Sequence, residues 1–328
     1  MIEKFGTDAT RLSLIIGISP GNDSKLSEDK VASFRNFTNK LYNIARYVLS
    51  TTKEVEIPTI NQAYYDSLPF EDQWIIGRLN EVTESVTANL EKYEFARACD
   101  ELKDFTWNEF ADWYIEIAKI RGEKDAVLRY CLETIVKLWH PAMPFVTEHI
   151  WKLLGHDSLL MVEKWPSEKL VVNKMTLNSF EGMRDIITAI RNLRAESNVP
   201  AATKINLTID DGPYELEKIA DIIKRMGRAE TLTIKKGITK PAQSASAVVG
   251  EATIYMSLEG LFDKEAETER LGKEIEKVAK YIKALEGKLG NKEFVANAPE
   301  KIVAIEQKKL DEAQAKRAKL EEQLGQIS

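Results

Sequence analysis

The sequence has little of several features that would mark a specialised class of protein. Only two of its 328 residues are cysteines, Cys99 and Cys131, and only three are histidines. No Cys-x-x-Cys pair occurs, so the sequence argues against a zinc site, and we expect both cysteines to be buried, reduced thiols. No run of about 18 apolar residues occurs, and the N-terminus lacks the basic-then-apolar pattern of a secretion signal. We therefore expect a cytoplasmic protein that does not contact a membrane.

The chain also lacks an excess of positive charge. It has 46 Lys and Arg against 52 Asp and Glu, which gives a formal net charge of −6. If the partner is a nucleic acid, the contacts must come from local Lys/Arg faces, because a positive field around the whole protein is absent. The hydrophobic content of 44% and the charged content of 30% are those of a globular protein, and the length predicts two or three domains.

What the sequence does have is an aromatic stretch between residues 105 and 119 that contains neither glycine nor proline. Phe110, Trp113, Ile117 and Ile120 follow a three-four-three spacing, which predicts an α-helix. Large rings stabilise a fold only when they are buried, so the helix needs apolar partners on several sides. The stretch therefore predicts the central helix of a bundle.

Residues 105–116 read Phe-x-Trp-x-Glu-Phe-x-Asp-Trp-Tyr-x-Glu, and this motif resembles the anticodon-binding bundle of the valyl-tRNA synthetases. Further motifs occur in that family's order: Gly-x-Asp-Ala-x-Arg at 6–11, Arg-Asn-Phe-Thr-Asn-Lys-Leu-Tyr-Asn at 35–43, Asp-Gln-Trp-Ile at 72–75, the segment from His-Pro to Trp at 140–151, and Ile-Arg-x-x-Arg-x-Glu-x-x-Val-Pro at 190–200. Tyr42, Ala142 and His149 depart from the family's pattern. The related isoleucyl enzymes typically end in a cysteine-ligated zinc module, which two cysteines cannot supply.

The predicted fold is mostly α: a helical anticodon-binding bundle at 1–155, a small α/β domain at 156–260 and an antiparallel two-helix coiled-coil arm at 261–328. Ser27 is a predicted N-cap, and the helix after it should bury Val31, Phe34, Leu41, Ala45 and Val48. Other predicted helices are 1–18, 72–93, 125–138, 180–196 and 214–226, and predicted strands are 204–210, 230–236 and 252–258.

The arm is predicted from a seam that repeats every four and three residues, formed by Leu271, Ile275, Val278, Ile282, Leu285 and Leu289. Residues 290–299 break the pattern, and a second helix is predicted over 300–324 with Leu310 and Ala313 in its seam. Lysines and an arginine recur on the face opposite the seam. An alternative is that this face is only solvated, because Glu269 and Glu276 each precede a lysine by four residues and can support the helix.

The resemblance implies which residues bind tRNA. In the bundle they are Lys30, Arg35, Asn36, Asn39, Lys40, Asn43, Arg46 and Tyr47; in the α/β domain, Arg191 and Arg194; in the arm, Arg270, Lys273, Lys277, Lys280, Lys283, Lys301 and Lys308. Lysine and arginine neutralise phosphates, and asparagine amides can bond sugars, phosphates or base edges. Structural alternatives remain open: the bundle residues could tie helices together, and Arg191 and Arg194 could pair with Glu196 or other local acids.

The resemblance also implies the function: binding of tRNA(Val) in support of valine attachment by a catalytic domain, in cis or in a separate chain. The family's catalytic motifs, His-x-Gly-His and Lys-Met-Ser-Lys-Ser, do not occur in this sequence, so we expect no valine activation by this chain alone. ATP and Mg²⁺ would belong to the catalytic domain, and no cofactor, metal or DNA is expected here. His140 should form a structural hydrogen bond, since no nucleophile is paired with it. The alternatives are a helical scaffold that binds no RNA and a free-standing tRNA-binding paralogue.

Overall fold

The structure is a computed structural model that describes residues 1–17, 21, 25–53, 57–210, 216–259, 264–290, 305–314, 317–318 and 321. It divides into two compact units. The helical unit comprises 1–191, 211–229 and 248–252, and the second unit comprises 192–210, 230–247 and 253–328. The domain boundaries predicted from the sequence stay a prediction.

The mostly helical fold predicted from the sequence is confirmed. The helices are α1 (Ile2–Phe5), α2 (Thr7–Ile15), α3 (Glu28–Thr51), α4 (Gln62–Ser67), α5 (Phe70–Glu91), α6 (Phe95–Asp104), α7 (Ile115–Arg121), α8 (Asp125–Trp139), α9 (Pro144–Leu153), α10 (Lys174–Glu196), α11 (Ala220–Met226) and α12 (Lys264–Gly290), with short 3-10 turns at Leu160–Val162 and Leu216–Ile219. No helix in these described stretches is long and apolar enough to cross a membrane.

The first predicted helix, 1–18, is wrong as a single element. Gly6 adopts φ 90° and ψ 158°, which separates α1 from α2. Residues with a side chain rarely adopt this backbone φ, whereas glycine adopts it without a steric penalty. Residue 18 lies outside the described residues.

The helix α3 begins and packs as predicted. The Ser27 side chain accepts a hydrogen bond from the backbone N–H of Lys30 at 3.2 Å, which satisfies one of the unpaired donors of the first turn. The predicted inner face is confirmed as buried: Val31, Phe34, Leu41, Ala45 and Val48. Because that face packs inward, the opposite face of this 24-residue helix is left to solvent.

The central aromatic stretch is buried as predicted, but it is not a regular α-helix. Residues Phe105–Tyr114 form a π-helix between α6 and α7. Its hydrogen bonds join residues five apart, so buried Phe105, Phe110 and Ile115 form one row, and buried Thr106 and Ala111 form another. The three-four-three spacing did not predict this five-residue recurrence.

A buried lysine joins three elements at one end of the helical unit. The Lys124 ammonium, just before α8, lies 2.9 Å from Glu71 Oε1 and 2.8 Å from Asp72 Oδ2 in the first turn of α5. The Tyr114 hydroxyl, at the end of the π-helix, donates to Asp72 Oδ1 at 2.7 Å. Burial costs each ion several kcal/mol unless it is paired, so these groups stabilise the fold only together.

The small sheet has the order β2-β1-β4-β3, with strands Ile205–Asp210 (β1), Ala229–Lys235 (β2), Ser244–Val249 (β3) and Ala252–Ser257 (β4). The three predicted strands correspond to β1, β2 and β4. Antiparallel pairing sets Leu207 opposite Met256 and Ile209 opposite Ile254, and all four side chains are buried. The sequence analysis did not predict β3, whose first four residues are the small residues Ser and Ala and none of whose residues is buried.

The remaining predicted helices are largely confirmed. In α10, Ile186, Ile190 and Leu193 are buried as predicted, although the helix begins six residues earlier than the predicted bound. The predicted helix 214–226 appears as a 3-10 turn followed by α11, and its first two residues lie outside the described part.

In the arm, α12 and the helical residues 305–314 pack through Ile282, Leu285, Leu310 and Ala313, all predicted seam residues. The Lys288 ammonium lies 3.5 Å from a carboxylate oxygen of Glu306. Residues 291–304, where the helix break and the start of the second helix are predicted, lie outside the described part. The coiled coil over its full length therefore stays a prediction.

We expect Lys124→Met to lower the free energy of unfolding by roughly 3–5 kcal/mol, because it leaves two buried carboxylates without their cation. Burial raises the pKa of Asp72 above its ordinary value of 3.8, and Lys124 lowers it. Without Lys124 that pKa rises further, so the native state binds this proton more tightly than the unfolded chain. The stability of the variant should therefore fall as pH rises through the interval above 3.8, over a wider range than in the parent.

Urea unfolding of both proteins at pH 5 and pH 8 tests this expectation. Lys92→Met, at an exposed lysine just after α5, is the matched control and should change stability by no more than about 0.5 kcal/mol. A Lys124→Met variant as stable as the control would show that the buried ions contribute nothing to the fold.

Candidate nucleic-acid interface

The helix α3 is a local exception to the acidic balance of the chain. Residues 30–53, which are α3 from its third residue plus the two residues after it, contain five Lys and Arg and no Asp or Glu, whereas the whole chain has 52 acidic residues and a net charge of −6. The two acidic residues of α3, Glu28 and Asp29, lie in its first turn. A cationic segment of this length gives the local field that phosphate binding needs. The local Lys/Arg face required by the sequence argument is therefore found here.

Five of the predicted bundle residues share the outer face of α3, and we call them the polar stripe: Arg35, Asn36, Asn39, Asn43 and Arg46. All five are exposed. None of their side chains forms a hydrogen bond or ion pair with another residue in the described part of the helical unit. The contacts that would make them ties between helices are thus not seen there, and the guanidinium and amide groups face solvent.

The other three predicted bundle residues are placed differently. Lys40 and Tyr47 are half-buried at one edge of the stripe, where α3 meets the π-helix and α7. The Lys40 ammonium lies 3.1 Å from Asp112 Oδ1 and 4.6 Å from the centre of the Trp107 ring. Lys30 is half-buried in the first turn, where its backbone N–H donates to the side chain of the N-cap residue Ser27.

This edge contains two residues that the sequence analysis did not place in the site, Trp107 and Lys119. The Trp107 ring is half-buried and stacks on Phe37, with 6.1 Å between ring centres and 16° between planes. The Lys119 ammonium lies 5.0 Å from the centre of the Tyr47 ring. The edge therefore carries two ring–ammonium pairs, and each ammonium is also paired with a carboxylate, Lys40 with Asp112 and Lys119 with Glu116. Its rings are suited to stacking on bases. Because the sequence predicts burial of the aromatic rings of this stretch, it does not mark Trp107 as a surface residue.

The opposite edge of the stripe carries a second aromatic contact. Tyr42 of α3 stacks on His149 of α9, with ring centres 5.8 Å apart and planes 27° apart. In the sequence, both residues stand out only as departures from the family's pattern.

The two arginines predicted near the end of α10 have contacts of their own. Arg194 is 7% exposed, and its Nη2 donates to the carbonyl oxygens of Pro200 at 2.8 Å and Thr203 at 2.7 Å. This guanidinium therefore fastens the loop that follows the helix. Arg191 is exposed, and its guanidinium carbon lies 5.2 Å from the centre of the Trp113 ring. Pairing with Glu196, the structural alternative, is not seen for Arg191 within the described residues.

In the arm, Lys273, Lys277, Lys280, Lys283 and Lys308 are all exposed. Lys280 pairs with Glu276 at 2.7 Å, so the predicted helix-supporting pair is confirmed. The Arg270 side chain and Lys301 lie outside what the structure describes. The exposed lysines fit both a phosphate-binding face and a solvated face.

Other groups with chemical potential have structural roles. His140 Nδ1 lies 2.8 Å from Thr147 Oγ1, and burial lowers the pKa of this histidine, so the expected structural hydrogen bond is confirmed. Cys99 and Cys131 are buried free thiols, as predicted. Across the described ranges, no group of three or more His, Cys, Asp or Glu is placed to hold a metal ion.

Comparison with known proteins identifies two domains. Residues 72–209 match the model of the anticodon-binding domain of tRNA ligases. Residues 263–328 match the model of the valyl-tRNA synthetase tRNA-binding arm. The helix α3 precedes the first of these matches. It lies within the alignments with the relatives described next, which cover nearly the whole chain.

Three curated relatives, each a valine–tRNA ligase, align over nearly the whole chain. The protein of Listeria innocua is 38% identical over 99% of this chain, that of Oceanobacillus iheyensis 36% over 100%, and that of Carboxydothermus hydrogenoformans 35% over 100%. In each case the alignment covers 38% of the relative, so the chain spans well under half of their length.

A crystal structure of a LeuRS–tRNA–LeuAMS ternary complex from Agrobacterium radiobacter aligns with a TM-score of 0.44 at 22% identity, covering 54% of this chain and 21% of that one. This likeness adds nothing to the assignment, which rests on the two domains and the full-length similarity. The chain carries the anticodon-binding domain of the tRNA ligases followed by the tRNA-binding arm of the valyl-tRNA synthetases, and it belongs to the valyl-tRNA synthetase family.

Proposed function

We propose that this chain binds tRNA(Val) and thereby presents it to the catalytic part of a valyl-tRNA synthetase. The observation that carries the proposal is the polar stripe of α3, an exposed set of arginines and asparagines on a segment without a single acidic residue. The names of its relatives, valine–tRNA ligases, supply the identity of the tRNA and of the amino acid.

The stripe offers two kinds of contact. Arg35 and Arg46 supply charge for phosphates, and such contacts position an RNA without reading its sequence. Asn39 and Asn43 carry both donors and acceptors, so they can recognise the edges of unpaired bases in a loop. Recognition of an anticodon needs both kinds, because the backbone must be held while the bases are read.

The arm offers mainly charge. Its exposed lysines can follow an RNA backbone, and such contacts are similar for any tRNA. We propose that the arm meets the outer corner of the tRNA, where the D and T loops join, and raises affinity for all tRNAs. Discrimination would then come from the bundle.

The chemistry of valine attachment belongs to a catalytic part in cis or in a separate chain. We propose that ATP and Mg²⁺ bind there and that this chain itself needs no cofactor. Its described residues are suited to binding and orienting an RNA.

The division of labour within the stripe predicts opposite outcomes for two double variants. Arg35→Ala/Arg46→Ala should weaken tRNA(Val) and a tRNA with another anticodon equally, and should reduce the logarithmic salt slope by roughly 0.7 for each phosphate that is no longer neutralised. Asn39→Ala/Asn43→Ala should leave the slope unchanged and weaken tRNA(Val) by roughly tenfold more than the other tRNA, since the amides no longer supply about 1.4 kcal/mol of base-edge recognition.

Equilibrium binding of both tRNAs across a range of salt concentrations measures these quantities. The matched control is Lys92→Ala/Arg97→Ala, which removes two exposed cations at the α5–α6 junction and should change neither quantity. If the stripe variants behave like this control, α3 is only a solvated surface, and the proposal for the bundle is wrong.

For the arm, Lys273→Ala/Lys277→Ala/Lys280→Ala should reduce affinity for cognate and non-cognate tRNA by the same factor. It should also lower the salt slope by roughly 0.7 to 0.9 for each phosphate that a lysine had neutralised. The three lysines are exposed, so the unfolding free energy should change by no more than about 0.5 kcal/mol. Circular dichroism, thermal melting and binding at several salt concentrations check the expectation. Parent-like affinity and slope in a folded variant would leave the lysines as a solvated face.

A further inference from the structure

The outer face of α9 exposes two rings one helical turn apart. Phe145 is 62% exposed, and His149 is exposed as well. Residues four apart on a helix are neighbours, with their Cβ atoms about 5–6 Å apart. Lys152, also exposed, follows His149 by three residues and lies on the same face. This face combines rings with a cation and carries no exposed carboxylate.

The acidic residue of α9 is turned away from this face. Glu148 is half-buried, and its Oε2 accepts a hydrogen bond from the backbone N–H of Leu160 at 3.0 Å. The rings therefore lie beside positive charge in a chain whose net charge is negative. Such a face attracts a negatively charged partner, and its rings favour a nucleic acid, whose bases can stack on them.

The face is continuous with the polar stripe. Tyr42, whose ring stacks on His149, precedes Arg46 by four residues on α3 and follows Asn39 by three. These spacings place Tyr42 beside both stripe residues. The stacked pair therefore bridges α3 and α9.

The first turn of α9 and the His149 ring are also held in place. The Asp8 carboxylate accepts hydrogen bonds from the backbone N–H groups of Phe145 at 3.3 Å and Val146 at 2.7 Å, which anchors the first turn of α9. One face of the His149 ring is covered by Tyr42, and its nitrogens form no hydrogen bond or ion pair with any described residue. A fixed ring with an open face is a preorganised stacking platform.

We propose that Phe145, His149 and Tyr42 form a stacking site for an unpaired nucleotide of the bound tRNA, with Lys152 on an adjoining phosphate. The inference rests on the proposed function and deepens it, because it extends the RNA-binding surface from α3 across α9. The imidazole can stack on a base through its face, and a ring N–H, which points outward in the ring plane, can donate to a neighbouring phosphate, sugar or base; this combination suits an RNA loop.

The test is binding of a tRNA(Val) transcript by the full chain at fixed salt. Phe145→Leu/His149→Leu removes both planar rings and leaves an apolar side chain at each position. It should lower affinity by roughly tenfold or more for one stacked base and leave the salt slope unchanged. His149→Phe keeps a ring and should retain most of the affinity. Lys152→Ala should instead reduce the salt slope by roughly 0.7.

A matched control comes from Tyr93 and Phe95, another exposed aromatic pair, whose rings are in edge contact at 6.0 Å near the α5–α6 junction. Tyr93→Leu/Phe95→Leu should bind tRNA(Val) as the parent does. Melting temperatures confirm that each variant is folded.

Two results would overturn the inference, and they are distinguishable. If the parent binds tRNA(Val) and the Phe145→Leu/His149→Leu variant binds it equally well, the α9 face is no RNA site and the proposed function stands. If the parent binds no tRNA(Val) at all, the proposed function fails and the stacking site fails with it.

Discussion

The bundle depends on one buried cation, the Lys124 ammonium held between Glu71 and Asp72. These groups come from the start of α5 and the turn before α8, and Tyr114 adds the end of the π-helix through its bond to Asp72. Two buried carboxylates would repel each other without the cation, so the three elements are stable only in this arrangement. Tyr114 immediately precedes α7 and Lys124 follows it by three residues, so the arrangement holds the chain on both sides of this helix. Lys119 of α7 is the residue whose ammonium lies beside the Tyr47 ring. A fold constraint thus positions one edge of the candidate RNA surface.

The charge distribution explains how an acidic chain can serve an RNA partner. Interactions between exposed charges are largely screened beyond about 8 Å at physiological salt. The electrostatic energy of a bound phosphate therefore depends more on the nearest side chains than on the net charge of the protein. The acid-free segment of α3 meets this condition. Where a carboxylate does approach the stripe, as Asp112 does, it is paired with Lys40. Net charge alone would have argued against the function that the family assignment supports.

The parts of the fold that follow from a simple period could be predicted from the sequence. The inner face of α3, the cap at Ser27 and the alternating strands are of this kind, because burial of one face leaves a regular pattern. The π-helix could not be predicted, because its five-residue recurrence is rare and lies within an aromatic run that also fits a helical period. For the site, the stripe was predicted from the resemblance of residues 35–43 to the family's motif, and the residue types along α3 suit RNA contacts. Its edges were missed because the contacts of Trp107 and Lys119 join residues far apart in sequence.

Those contacts also distinguish two kinds of cation on α3: one that is already paired within the protein and two that are not. The Lys40 ammonium is shared between the Asp112 carboxylate and the Trp107 ring, so an approaching phosphate must compete with both. Arg35 and Arg46 have no such partner within the described residues, so a phosphate gains their full charge. The bundle then neutralises few phosphates although its helix is rich in cations, and its salt dependence should be shallow. A bundle of this kind contributes selectivity through amides and rings, and strong charge neutralisation is left to the lysines of the arm.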